Sequence, residues 1–127
     1  MKTKDNNIVA QKSYDFSIRI VKLYKYLSEQ KKDFTIGNQL LRSGTSIGAN
    51  VKEAIRGYTK PDFNVKMSIA LKEASETEFW IELLRDTGYI TTKQAESMLT
   101  DCVELIKIIM SIIKTSQQNE TKKNIKH

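Results

Sequence analysis

The sequence predicts an all-α protein, an antiparallel up-down four-helix bundle, and three observations predict it. Four long segments repeat apolar residues at steps of three and four, the period of a helix with one buried face. Compact turn signals separate these segments, and short loops between long helices make neighbours antiparallel. Gly (5) and Pro (1) are too scarce in 127 residues to supply the turns of an all-β fold, and no segment alternates with period two. The length suits one domain, large enough to bury its own core.

The first helix is read from about Ile8 to Lys32. Val9, Phe16, Ile20, Leu23 and Leu27 fall on one face, Tyr14, Ile18, Val21 and Tyr24 widen it, and Arg19, Lys22 and Lys25 lie on the far side. The second helix is read from about Ile36 to Tyr58, with Ile36, Leu40, Ile47, Val51, Ala54 and Tyr58 in rhythm once Gly44 is counted. Gly44 and Gly48 each cost a helix about 1 kcal/mol relative to Ala. They either let a neighbouring helix approach closely or mark a break around Ser43 to Ser46, and the continuous helix is the favoured reading.

Thr59-Lys60-Pro61-Asp62 starts the third helix, with Thr59 as cap and Pro61 in the first turn, where its missing N–H costs nothing. Phe63, Met67, Ala70, Ala74, Thr77, Ile81 and Leu84 then alternate steps of four and three without a miss, up to about Asp86. Gly88 reads as a left-handed cap and Thr91-Thr92-Lys93-Gln94 as a capping box. The fourth helix, from about Thr92 to Lys114, carries two apolar stripes. Ala95, Met98, Cys102, Leu105, Ile109 and Ile112 form one; Leu99, Val103, Ile106, Met110 and Ile113 form the other, and together they exceed what one core needs. The organisation predicted is a flexible N-terminus (1–7), the bundle (8–115) and a disordered basic tail (116–127).

The run Leu41-Arg42-Ser43-Gly44-Thr45-Ser46-Ile47-Gly48-Ala49-Asn50-Val51-Lys52-Glu53-Ala54, followed by Ser68-Ile69-Ala70-Leu71 and by Leu84-Arg85-Asp86-Thr87-Gly88-Tyr89-Ile90, resembles a bacterial family. That family comprises the four-helix-bundle proteins first noticed in intervening sequences of large-subunit (23S) ribosomal RNA genes. The resemblance covers about residues 8 to 115. It implies an antiparallel four-helix bundle that tends to form a homopentameric barrel. It also implies similarity to the accessory proteins of diversity-generating retroelements, which associate with a reverse transcriptase and bind nucleic acid through a basic surface. The shared motif marks helix packing and not a binding code, so the resemblance assigns no RNA-contacting residue.

Catalysis has little to work with. The one histidine, His127, ends the polar tail, and a Ser–His or Cys–His pair built on it is implausible. Glu53, Glu73, Glu76, Glu78 and Glu82 offer carboxylates but no imidazole for a bundle metal site. Gly44-Thr45-Ser46-Ile47-Gly48 lacks the Lys-Ser/Thr ending of a phosphate loop. No enzyme, catalytic residue, metal or cofactor is therefore expected. The single cysteine, Cys102, permits no internal disulfide and reads as a small buried hydrophobe. Residues 1–7 lead into no signal-peptide run, and no stretch is long enough to span a bilayer, so the predicted address is cytoplasmic.

The net charge of +6 permits contact with a polyanion without demanding it. Residues 1–33 hold eight Lys/Arg against four Asp/Glu, while 59–90 hold four against six, so positive charge gathers on the first two helices and on the tail. Arg19, Lys22, Lys25, Arg42, Lys52 and Arg56 are the candidates for binding RNA or DNA, RNA being preferred. The competing reading is a protein–protein scaffold whose basic face only solubilises. Phe79 and Trp80, about 100° apart on a helix, cannot both face the core. With Met110 and Ile113 they are the candidate oligomer contacts. Asn50 is expected to fix register through interhelical hydrogen bonds, and Glu53 and Glu76 to pair with an arginine such as Arg42 or Arg56.

Overall fold

The computed structural model describes residues 4–57 and 59–126, with side chains for all of these except 120 and 122–126. Four helices follow one another as α1 (Lys4–Gln30), α2 (Thr35–Ile55), α3 (Lys60–Asp86) and α4 (Thr92–Lys126). They pack α1 on α2, α2 on α3, α3 on α4 and α4 back on α1, which is the up-down bundle the sequence predicts. Among the described residues there is no strand, and no helix is long and apolar enough to cross a membrane.

The core is built from the periodic positions. Val9, Phe16, Ile20 and Leu27 of α1 meet Leu40, Ile47, Val51 and Ala54 of α2, all essentially sealed from solvent. Phe63, Met67, Ala70, Ala74, Ile81 and Leu84 of α3 and Ala95, Cys102, Leu105 and Ile109 of α4 complete it. Burying an aliphatic side chain of this size is worth about 1.5–3 kcal/mol, so this one interior supplies the main drive to fold.

Local chemistry ends each helix. After α1, Lys32 takes the left-handed region (φ 56) and the Asp33 amide donates back to the Leu27 carbonyl (3.0 Å), which turns the chain out of the helix. The buried Asp33 carboxylate then accepts the amides of Ile36 (3.4 Å) and Gly37 (2.9 Å), satisfying two donors at the start of α2. The sequence reading missed this cap. Its signal was an acidic residue three and four positions ahead of the first amides of the next helix. Thr59 accepts the Asp62 amide (3.2 Å) with proline in the first turn of α3. Gly88 (φ 83) ends α3, and Thr91 and Gln94 cap α4 reciprocally at 3.1 and 2.8 Å.

Three expectations shift. α1 starts at Lys4, ahead of the predicted boundary, and Asn6 is already buried; residues 1–3 lie outside the described part. Helix α4 continues through Lys126 because no glycine or proline follows Gly88, and Ser116 is still buried; His127 lies outside the described residues. Tyr14, Ile18 and Val21, read as widening the apolar face of α1, are exposed at 63, 42 and 37%. They lie on the flank of α1 that its neighbours leave uncovered. The predicted end of the second helix at Tyr58 falls outside the described residues.

Candidate nucleic-acid interface

The glycine pair of α2 decides how α1 lies against it. A Cβ on Gly44 would sit 2.7 Å from two carbons of Ile20, so the fully buried Ile20 side chain occupies the space the glycine leaves. One turn on, a Cβ on Gly48 would meet Ser17 Oγ at 3.0 Å and the Ser13 carbonyl oxygen at 3.2 Å. Here the backbones themselves come close, and α2 runs unbroken through both glycines.

Along this seam the two helices border a groove of about 720 Å³ that takes in Gly48. Its floor is aliphatic (Ala10, Ala49, Ile55). The rim carries the Tyr14 ring and the amides of Asn7 and Gln11 from α1, and Lys52 and Arg56 from α2. Lys52 and Arg56 stand four apart, hence neighbours on one helix surface. Both are exposed, and among the described residues neither forms an ion pair. The same two side chains line a second groove on the other side of α2, beside Glu53, Gly57 and Lys66.

The other basic candidates lie elsewhere. Arg19 is held by α4: its guanidinium donates to the Asp101 carboxylate, to Ser97 Oγ (2.7 Å) and to the Ser97 carbonyl (3.2 Å). Lys22 lines an adjoining groove between α1 and α4, together with Lys93. Lys25 is exposed on α1. Arg42 reaches across to α3, donating to Glu73 (3.1 Å) and to Glu76. The Glu76 hydrogen bond foremost raises the Arg42 pKa above its ordinary value. The six residues therefore do not converge: Lys52 and Arg56 share a groove, whereas Arg19 and Arg42 cross-link helices.

Among the structural polar candidates, Glu76 pairs with Arg42 and Glu53 pairs with Lys66 (2.7 Å) rather than with an arginine. Asn50 donates to the Ser46 carbonyl (2.8 Å) within its own helix, not across to a neighbour. A polar contact that sequence reasoning missed joins α2 to α3, where the Thr77 hydroxyl donates to Ser43 Oγ at 2.9 Å with both residues buried.

Phe79 is 55% exposed and packs edge-on against half-buried Trp80, ring centroids 5.0 Å apart. Among the described residues Trp80 Nε1 has no hydrogen-bond partner, though it is buried. On α4, Met110 is 54% exposed and Ile113 half-buried. The Cys102 thiol donates to the Ala74 carbonyl (3.3 Å), which fixes the register of α3 against α4. Counting from that contact, Met110 and Phe79 lie in opposite directions, roughly 20 Å apart along the bundle at 1.5 Å per residue. They form two patches, not one.

Burial pushes the Cys102 thiol up to about 12, so it is neither nucleophile nor metal ligand at neutral pH. Among the described residues, no group of three or more His, Cys, Asp or Glu is placed to hold a metal ion.

Residues 5–111 match the profile of 23S rRNA-intervening sequence proteins. The chain is also similar to a protein of unknown function from the S23 ribosomal protein family of Bacteroides thetaiotaomicron VPI-5482, whose crystal structure is known at 1.70 Å. The two are 52% identical with a TM-score of 0.86, over 87% of this chain and 98% of that one. No curated protein matches the chain.

Proposed function

The chain belongs to the 23S rRNA-intervening sequence protein family, and from that premise we propose that it is a non-catalytic RNA-associated protein that holds a phosphate backbone at the groove along the α1/α2 seam. One observation carries this reading: Lys52 and Arg56 are exposed and side by side in a groove, while Arg19 and Arg42 are already occupied by internal carboxylates. Cations without an internal partner are the ones that can displace counterions from a polyanion, and doing so requires no sequence-specific geometry.

The test is fluorescence-anisotropy titration of a short single-stranded RNA across a salt series. Losing two phosphate contacts lowers the slope of log affinity against log salt by about 1.4. The double variant Lys52→Glu with Arg56→Glu is expected to bind at least tenfold more weakly at low salt and to show that flatter slope. Unchanged affinity in the variant overturns the reading.

The same chain is proposed to self-associate, with the pentamer implied by the family resemblance as the expected assembly. Support comes from the two separated apolar patches, at Phe79/Trp80 and at Met110/Ile113. Different patches offset along a subunit suit a head-to-tail ring, in which one patch of each copy meets the other patch of the next. Sedimentation velocity is expected to give a species several times 14.6 kDa, and Phe79→Glu to shift it toward the monomer. A wild-type chain that stays monomeric at 100 μM, a concentration set on the order of weak association constants, ends this part of the proposal.

A further inference from the structure

Resting on the RNA-binding reading above, we infer that the α1/α2 groove takes an unstacked base, so that the protein selects single-stranded RNA over duplex. The Tyr14 ring is 63% exposed although it stands on the wall of a crevice with an aliphatic floor. No described side chain stacks on it: the one aromatic pair among the described residues is Phe79 with Trp80. An aromatic face held open beside two cations is the arrangement by which proteins bind single strands, the ring stacking a base while the cations track the backbone.

The shape of the crevice adds to this. Axes of packed helices lie about 8–10 Å apart, so a cleft between two of them admits a planar ring edge-first but not a paired helix. Gly48, where the two backbones come close, is part of its lining. Polar side chains line it as well, Ser17 and Thr45 among them. The Asn7 amide and the Gln11 side-chain oxygen are there, the Gln11 nitrogen being used by Asp15 at 2.9 Å. Amides so placed can meet the edge of a base whose pairing face is free, which in RNA means a loop or a single strand.

The experiment compares a twelve-nucleotide single-stranded RNA with a duplex of the same sequence, using wild type, Tyr14→Ala and Tyr14→Phe. Wild type is expected to prefer the single strand. Tyr14→Ala is expected to lose about tenfold in affinity for the single strand, none for the duplex, and to keep the salt slope. Tyr14→Phe, which retains the ring, is expected to bind as wild type does and controls for folding. Equal binding of single strand and duplex, or an alanine variant with wild-type affinity, overturns the base-stacking inference while leaving the phosphate reading intact. Absence of RNA binding by wild type overturns both.

Discussion

The two flanks of α2 are closed by different means. Toward α3 the seam is cross-linked at several levels: the Ser43–Thr77 hydroxyl pair inside, Arg42 with Glu73 and Glu76 at the surface, and Glu53 with Lys66 nearer the end. Toward α1 the seam closes on absence of side chain, at Gly44 and Gly48, and borders the groove. A flank held by polar pairs has its arginine occupied. A flank held by close approach leaves Lys52 and Arg56 without an ion pair among the described residues. The available charge on this helix is thus set less by how many cations it carries than by what its neighbours present to them.

Two substitutions probe that contrast. The larger effect is expected on the glycine flank. Gly44→Val must displace the whole buried Ile20 side chain, and the bundle should lose about 3 kcal/mol, the upper range for overpacking. For a chain of this size that lowers Tm on the order of 10 °C. A thermal melt like that of wild type would show that close approach does not hold α1 to α2.

A smaller effect is expected on the cross-linked flank. Thr77→Val keeps the shape but strands the buried Ser43 hydroxyl, whose remaining contact, to the Leu40 carbonyl, is 3.5 Å long. The cost should be about 1–2 kcal/mol, read from the urea midpoint. RNA affinity should stay at the wild-type level, because the substitution lies on the side of α2 away from Tyr14. A loss of RNA binding in this variant would mean that the two flanks are not independent.

The core stripes and the ends of α3 and α4 were legible in the sequence because they depend on residues a few positions apart. Phe63 through Leu84 buried as their spacing requires. The Thr59 cap, Gly88 and the Thr91–Gln94 box formed as their types dictate. What escaped depends on partners distant in sequence. Arg19 meets Asp101 from 82 positions away, so nothing local marks this arginine as engaged while Lys52 and Arg56 make no ion pair among the described residues. Tyr14, Ile18 and Val21 read as core because a helical period tells that a face is apolar, not how far across it the neighbours reach. The extension of α4 escaped for the opposite reason: polar residues without a glycine or proline to stop them simply continue a helix already begun.

The one thiol of this chain, Cys102, lies where α3 and α4 touch, protonated and bonded to a main-chain oxygen. Alkylating reagents can reach it only while those two helices stand apart. Its rate of modification therefore counts the breathing of the bundle, a clock that needs no added label. For the same reason, the folded protein offers no thiol at its surface for a disulfide to another molecule.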